Sequence, residues 1–226
     1  MTQPQELAPP SSEAAHQIAL YSQRLVPGHE MDLASGHSVV YTRAGTVTSA
    51  TDGELSVTHQ SGEAWWAPTP TRLISEGATA WIARWTLSLA SDSESGGGEL
   101  LLVRELSLNG DTTCLLRCDQ VDFPPGGIAY LHTHAGPGIR MLISGSLRVE
   151  TEGESHEYSP GDCWFEPGPI PVFAQASRDR GAMFVRVMVL PIDYKGRSSI
   201  SYQREEDRQK PKRQRYSIYV DQEVTL

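Results

Sequence analysis

Residues 124–173, PPGGIAYLHTHAGPGIRMLISGSLRVETEGESHEYSPGDCWFEPGPIPVF, decide how the rest of the chain is read. Their apolar runs are short and are broken by glycine, proline and serine, as in GIRMLISGSLRVETEG (138–153) and the turn Pro160-Gly161-Asp162. That pattern predicts strands joined by tight turns rather than helices. Within it, His132-Thr133-His134 places two imidazoles at positions i and i+2. On a strand these share one face, and two imidazoles side by side are a natural pair of metal ligands.

The same texture continues on both sides. SVVYTRAGTVTS (38–49), GELSVTHQSG (53–62), ATAWIARWTLSLA (78–90), ELLLVRELSL (99–108), TTCLLRCDQVDF (112–123) and AMFVRVMVLP (182–191) read as further strands. So many strands at this spacing predict an all-β sandwich or barrel. SDSESGGGE (91–99) has nothing to pack into a core and reads as a flexible connector. It divides the chain into two β-rich parts that align with each other. At a shift of 100, Gly45 falls on Gly145, Val39 on Ile139, Tyr41 on Met141 and Val47 on Leu147. At a shift of 99, GEAWWAPTP (62–70) falls on GDCWFEPGP (161–169). Collinear matches of this kind predict an internal duplication.

Composition bounds the partners. The chain has 226 residues, 38% hydrophobic and 21% charged, with a formal charge of −9, which suits a globular protein and argues against a phosphate-backbone binder. No apolar run approaches the roughly 20 residues that span a bilayer. The first 17 residues are rich in Pro, Ser and Gln and read as a loose arm without a secretory signal. Cys114, Cys118 and Cys163 are odd in number and lack zinc-ribbon spacing, which fits reduced thiols and a cytoplasmic location.

The stretch quoted first resembles the cupin family. The first motif of that family is Gly, His-x-His, Glu and Gly in fixed order, and Gly126, His132, His134 and Gly145 stand in those places. Pro160-Gly161-Asp162 and Pro167-Gly168 match the second motif. The resemblance implies a jelly-roll barrel and, through the repeat, a bicupin: an arm at 1–17, an N-terminal barrel at 18–95 without metal ligands, a C-terminal barrel at 99–195 and a tail at 196–226. The tail's last strand, in YSIYV, would pair with a sheet edge, that of the first barrel being one candidate. The resemblance also implies a divalent metal (Fe, Mn, Ni or Zn) held by three histidines and a glutamate. This sequence departs from it twice: Gly138 (or Ile139, with the longer spacing) stands at the glutamate position and Val172 at about the third histidine. The third donor therefore has to come from elsewhere, with Glu166, Gln120, Asp122 and Cys163 as candidates by chain position.

Three further residues are candidates. Tyr130, two before His132, would share its face and line the pocket or donate a proton, unless it packs in the core. Arg140 would grip a carboxylate or phosphate if it points inward; the preferred reading is ordinary surface. Arg186 interrupts an apolar strand and should be ion-paired or touch a ligand. In the first half His132 and His134 correspond to Asp32 and Ala34, so no metal is expected there. Two functions follow. In the first, His132, His134 and Glu166 hold a metal acting as Lewis acid or dioxygen activator on a small organic acid or phenolic substrate, as in a dioxygenase or isomerase. In the second, the barrel binds a small molecule without metal or turnover. The expected partners are a small molecule and, from the resemblance, a second copy of the chain, with neither nucleic acid nor membrane.

Overall fold

The computed structural model describes residues 15–33, 36–75, 77–92, 97–108 and 113–226. Most of the proposed arm (1–14) and the middle of the proposed connector (93–96) lie outside the described residues. The first half forms β1 (His16–Leu25), β2 (Glu30–Leu33), β3 (His37–Ala44), β4 (Thr46–Ala50), β5 (Val57–Gln60), β6 (Ala64–Ala67), β7 (Thr71–Ile74), β8 (Ala80–Leu89) and β9 (Glu99–Leu106). The second half forms β10 (Thr113–Phe123), β11 (Ile128–His134), β12 (Gly138–Gly145), β13 (Leu147–Thr151), β14 (Glu154–Tyr158), β15 (Cys163–Glu166), β16 (Val172–Ala176) and β17 (Ala182–Pro191). The tail adds β18 (Ile200–Tyr202), a short helix and β19 (Arg215–Thr225). No described helix is long and apolar enough to cross a membrane.

The strands form four antiparallel sheets, two to each half. One sheet has the order β6-β3-β8-β1-β9 and its counterpart the order β15-β12-β17-β10-β19. These orders are identical element for element, which is the repeat read from the sequence expressed as topology. The matched turn glycines, Gly45 and Gly145, have φ of 79° and 84°, a left-handed conformation that glycine alone adopts without cost. A Cβ at Gly45 would lie 2.9 Å from the Thr79 carbonyl oxygen.

Two placements differ from the sequence reading. Glu99–Leu106 does not open the second barrel; it pairs with β1, from His16↔Leu106 to Ser22↔Glu99. The last strand does pair with a sheet edge, but that edge is β10 in the second barrel's own sheet; it touches the first barrel without pairing, through the Thr225 carbonyl 3.0 Å from His37 Nε2. The physical reason is the same in both halves. The long first strand pairs with the barrel's last strand on one side and would otherwise leave its other edge open, and the following segment covers that edge.

The two large sheets pack face to face. Alternate residues of one, such as Leu20, Val39 and Trp85, share a buried cluster with Leu116, Ile139 and Val187 of the other. Each barrel also has its own interior core, around Leu25, Val40 and Leu73 in the first and Phe123, Leu142 and Trp164 in the second. The indole of Trp85, 1% exposed, donates to the Ile139 carbonyl across the interface at 3.1 Å. Cys114 and Cys118 are buried in this interface as free thiols. Trp85→Phe is expected to lower stability by about 1–3 kcal/mol in urea unfolding, the cost of leaving a buried acceptor without its donor.

Candidate functional site

Strand alternation aims a polar row into the second barrel. On β17, Val185 and Val187 face the inter-barrel cluster, so Arg186 faces inward; on β12, Ile139 and Met141 do the same, so Arg140 faces inward. The register pairs Asp119 with Arg186, Arg186 with Arg140, and Arg140 with Trp164. These four residues therefore form one line across β10, β17, β12 and β15. Glu166 stands two residues along β15 from Trp164, opposite Gly138. The preferred surface reading of Arg140 is overturned: at 1% exposure it is one of the most deeply buried side chains in the chain.

Two ion pairs organise this row. Arg186 grips Asp119 with two hydrogen bonds, Nε to Oδ1 at 2.6 Å and Nη2 to Oδ2 at 3.0 Å. Arg140 Nη2 lies 2.7 Å from Glu166 Oε2, an ion pair off the hydrogen-bond line. The other oxygen of Glu166 accepts from the Trp164 indole at 2.8 Å. Burial pulls Arg140 down to about 10, against the pull of Glu166, so it remains charged at neutral pH. Burial alone would lower Arg186 as well, but Asp119 outweighs it and the net direction is upward.

From the opposite sheet, β11 delivers His132 and His134, both 5% exposed. Their Nε2 atoms are 3.2 Å apart and the rings meet edge to face. His132 Nδ1 lies 2.7 Å from the Tyr130 carbonyl. That oxygen can only accept, so the proton is on Nδ1 and Nε2 of His132 is a bare acceptor. His134 then donates its Nε2–H into it, which leaves His134 Nδ1 buried without a partner. His134 Nε2 also lies 3.4 Å from Glu166 Oε2 and 3.4 Å from Arg186 Nη1. Burial lowers the pKa of His132; burial and then the charges of Arg186 and Arg140 hold His134 well below the ordinary value of 6.5. Both rings are neutral at pH 7.

Tyr130 does not share this face. Ala129 pairs with Ala174 and His132 with Val172, so β11 carries one residue more than its partner. This bulge reverses the alternation. Ala129 and His132 both line the interior, while the Tyr130 ring lies under Lys210 Nζ at 4.8 Å on the outside. Of the candidate third donors only Glu166 enters the pocket. Gln120 bonds Asp122 and Tyr219, and Cys163 packs in the inter-barrel cluster. In the first barrel the inward positions of β2 are Met31 and Leu33, whereas Asp32 is exposed and paired with Arg72. Asp119, Trp164 and Tyr216 line or bound the site and were not singled out from the sequence; Asp119 is one of several polar residues in TCLLRCDQVDF, so nothing local marks it.

The residues present do not suit a resident divalent metal. Two neutral imidazoles are a beginning, but the nearest carboxylate is neutralised by Arg140, and a second guanidinium stands 3.4 Å from His134 Nε2. The family's glutamate position is closed as well, because a Cβ on Gly138 would lie 2.4 Å from the Val187 carbonyl oxygen. Among the described residues no group of three His, Cys, Asp or Glu is arranged to hold a metal. His132, His134 and Glu166 are thus neighbours, as expected, but form a hydrogen-bonded and ion-paired set rather than a ligand set. The chamber they enclose measures about 20 Å³, room for about one water.

Comparison with known proteins adds the following. The family model for the cupin domain matches residues 120–171. No curated protein matches the sequence. Among solved structures, a deletion mutant of oxalate decarboxylase from Bacillus subtilis superposes with a TM-score of 0.62 at 14% identity, covering 89% of this chain and 74% of that one. AerE from Microcystis aeruginosa gives 0.59 at 12% identity, over 76% and 88%. A mutant salicylate 1,2-dioxygenase from Pseudoaminobacter salicylatoxidans gives 0.53 at 14%, over 78% and 70%. At these identities the likeness is one of fold.

Two measurements check the site. Asp119→Ala, which strands the Arg186 charge, is expected to cost about 3–5 kcal/mol in urea unfolding, and Asp119→Leu with Arg186→Met to restore most of it. The unfolded chain binds protons at the two histidines more readily than the folded one, so their contribution to stability is present above 6.5 and lost on acidification. Tm should therefore fall between about pH 8 and pH 5.5, and fall less in His134→Gln.

Proposed function

We propose, from the premise that this chain belongs to the cupin superfamily and folds as a bicupin, that its second barrel is a small-molecule-binding site that works without a resident metal. The observation that carries this reading is the pair of buried guanidiniums. Arg140 occupies the one carboxylate near the imidazoles, and Arg186 holds positive charge where a cation would approach His134. Charge repulsion at such short range opposes a divalent ion strongly in a water-poor interior. A retained metal would also need three or four protein donors.

What the residues offer instead is a polar, neutralised interior with fixed donors. Arg186 keeps one nitrogen, Nη1, engaged only by the long contact to His134. The imidazole pair is held in one tautomeric order by the Tyr130 carbonyl. The chamber these groups line has room for about one water, so a small molecule is received beside it, where Arg186, Ile200 and Tyr216 also line a larger cavity. Elemental analysis of the untagged protein after incubation with iron, manganese, nickel and zinc should find less than about 0.1 equivalent of any of them per chain. Near-stoichiometric metal that disappears in His132→Ala would overturn the reading.

A further inference from the structure

A second cavity, about 250 Å³, lies against the small chamber and shares Arg186, Ile200 and Tyr216 with it. Neighbouring strands of one sheet, β17, β10 and β19, form the floor, and the segment 196–200 forms the wall. Arg117 fixes that wall by donating to the carbonyls of Tyr194 and Arg197, both at 2.6 Å, while its Nε bonds Asp221 at 2.7 Å.

The lining combines charged and apolar side chains. It carries Arg117, Arg186 and Arg197 against one carboxylate, Asp119. Asp221 neutralises Arg117 and Asp119 neutralises Arg186, which leaves the Arg197 guanidinium without an ion pair or hydrogen bond among the described residues. A net positive cavity in a chain of formal charge −9 concentrates anions locally. Beside the charged groups stand Tyr216 and Ile218 of β19, which are 42% and 53% exposed; Ile218 is the cross-strand partner of Asp119. Large apolar side chains left open to water beside a cavity mark a surface that a ligand covers. At about 250 Å³ the space is smaller than the roughly 300–1,000 Å³ of pockets for larger ligands.

We infer that this cavity binds a small monocarboxylic acid, with the carboxylate on Arg197 and the hydrocarbon part on Tyr216 and Ile218. The inference rests on the small-molecule reading above and names its ligand class. The test is titration of the untagged protein with benzoate and hexanoate and with their neutral amides, benzamide and hexanamide, followed by NMR at up to about 10 mM. Both acids should bind and both amides should not. Arg197→Gln, a change at an exposed residue, should weaken the acids about tenfold or more, and Ile218→Asp should abolish their binding by placing a negative charge on the apolar part of the lining. Equal binding of acids and amides would overturn the acid assignment and leave the small-molecule site standing. No binding of any probe would overturn both. Acid binding unchanged by Arg197→Gln and Ile218→Asp would place the acid elsewhere and overturn this cavity as its site.

Discussion

Two guanidinium groups buried side by side on one sheet set the terms for the second barrel. Arg186 and Arg140 are cross-strand neighbours at 4% and 1% exposure. Taking such groups out of water costs several kcal/mol each, and like charges on paired strands repel. The fold answers with a carboxylate for each, Asp119 on the far side of Arg186 and Glu166 beside Arg140. That balance has consequences for chemistry. It engages Glu166, the carboxylate nearest the imidazoles among the described residues, and it adds the charges of Arg186 and Arg140 to the burial that already holds both imidazoles neutral. A histidine pair that resembles a metal site thereby becomes part of a hydrogen-bonded interior.

The first barrel shows the same line of positions with other occupants. Tyr21, Arg84, Val40 and Trp65 are paired across β1, β8, β3 and β6 just as Asp119, Arg186, Arg140 and Trp164 are across β10, β17, β12 and β15. Arg84 is as buried as its counterpart, but its guanidinium lies 4.6 Å over the Tyr21 ring and donates to the Gly97 carbonyl. Where the second barrel has Arg140 and Glu166, the first has Val40 and Ala67. The added guanidinium and the added carboxylate thus occur together in one half and are both absent from the other. This is what charge balance requires of a buried pair.

Much of the fold could be read from residue order alone. Glycine at matched turns, the short alternating runs and the paired Trp65 and Trp164 register the duplication before any coordinates. That His132 and His134 share one face followed from strand parity, and the family resemblance supplied the barrel interior as that face. Parity failed where the strand did not keep step: the bulge between Ala129 and His132 turned Tyr130 outward, and nothing local in IAYLHTH announces it. Arg140 was misread because charge favours the surface unless a partner is known, and its partner lies on another strand, 26 residues away. Asp119 was passed over for the same reason, since its role depends on a register 67 residues long. Pairings across a sheet are properties of topology, which single residues do not carry.

The central claim is that the second barrel holds two neutral, metal-free imidazoles in a fixed proton order. Long-range nitrogen-15 NMR of the histidine side chains at neutral pH reads this directly. The account gives His132 as the Nδ1–H form and His134 as the Nε2–H form, with signals unaltered by a strong chelator. Imidazole nitrogens with metal-bound shifts that move when the chelator is added would contradict it.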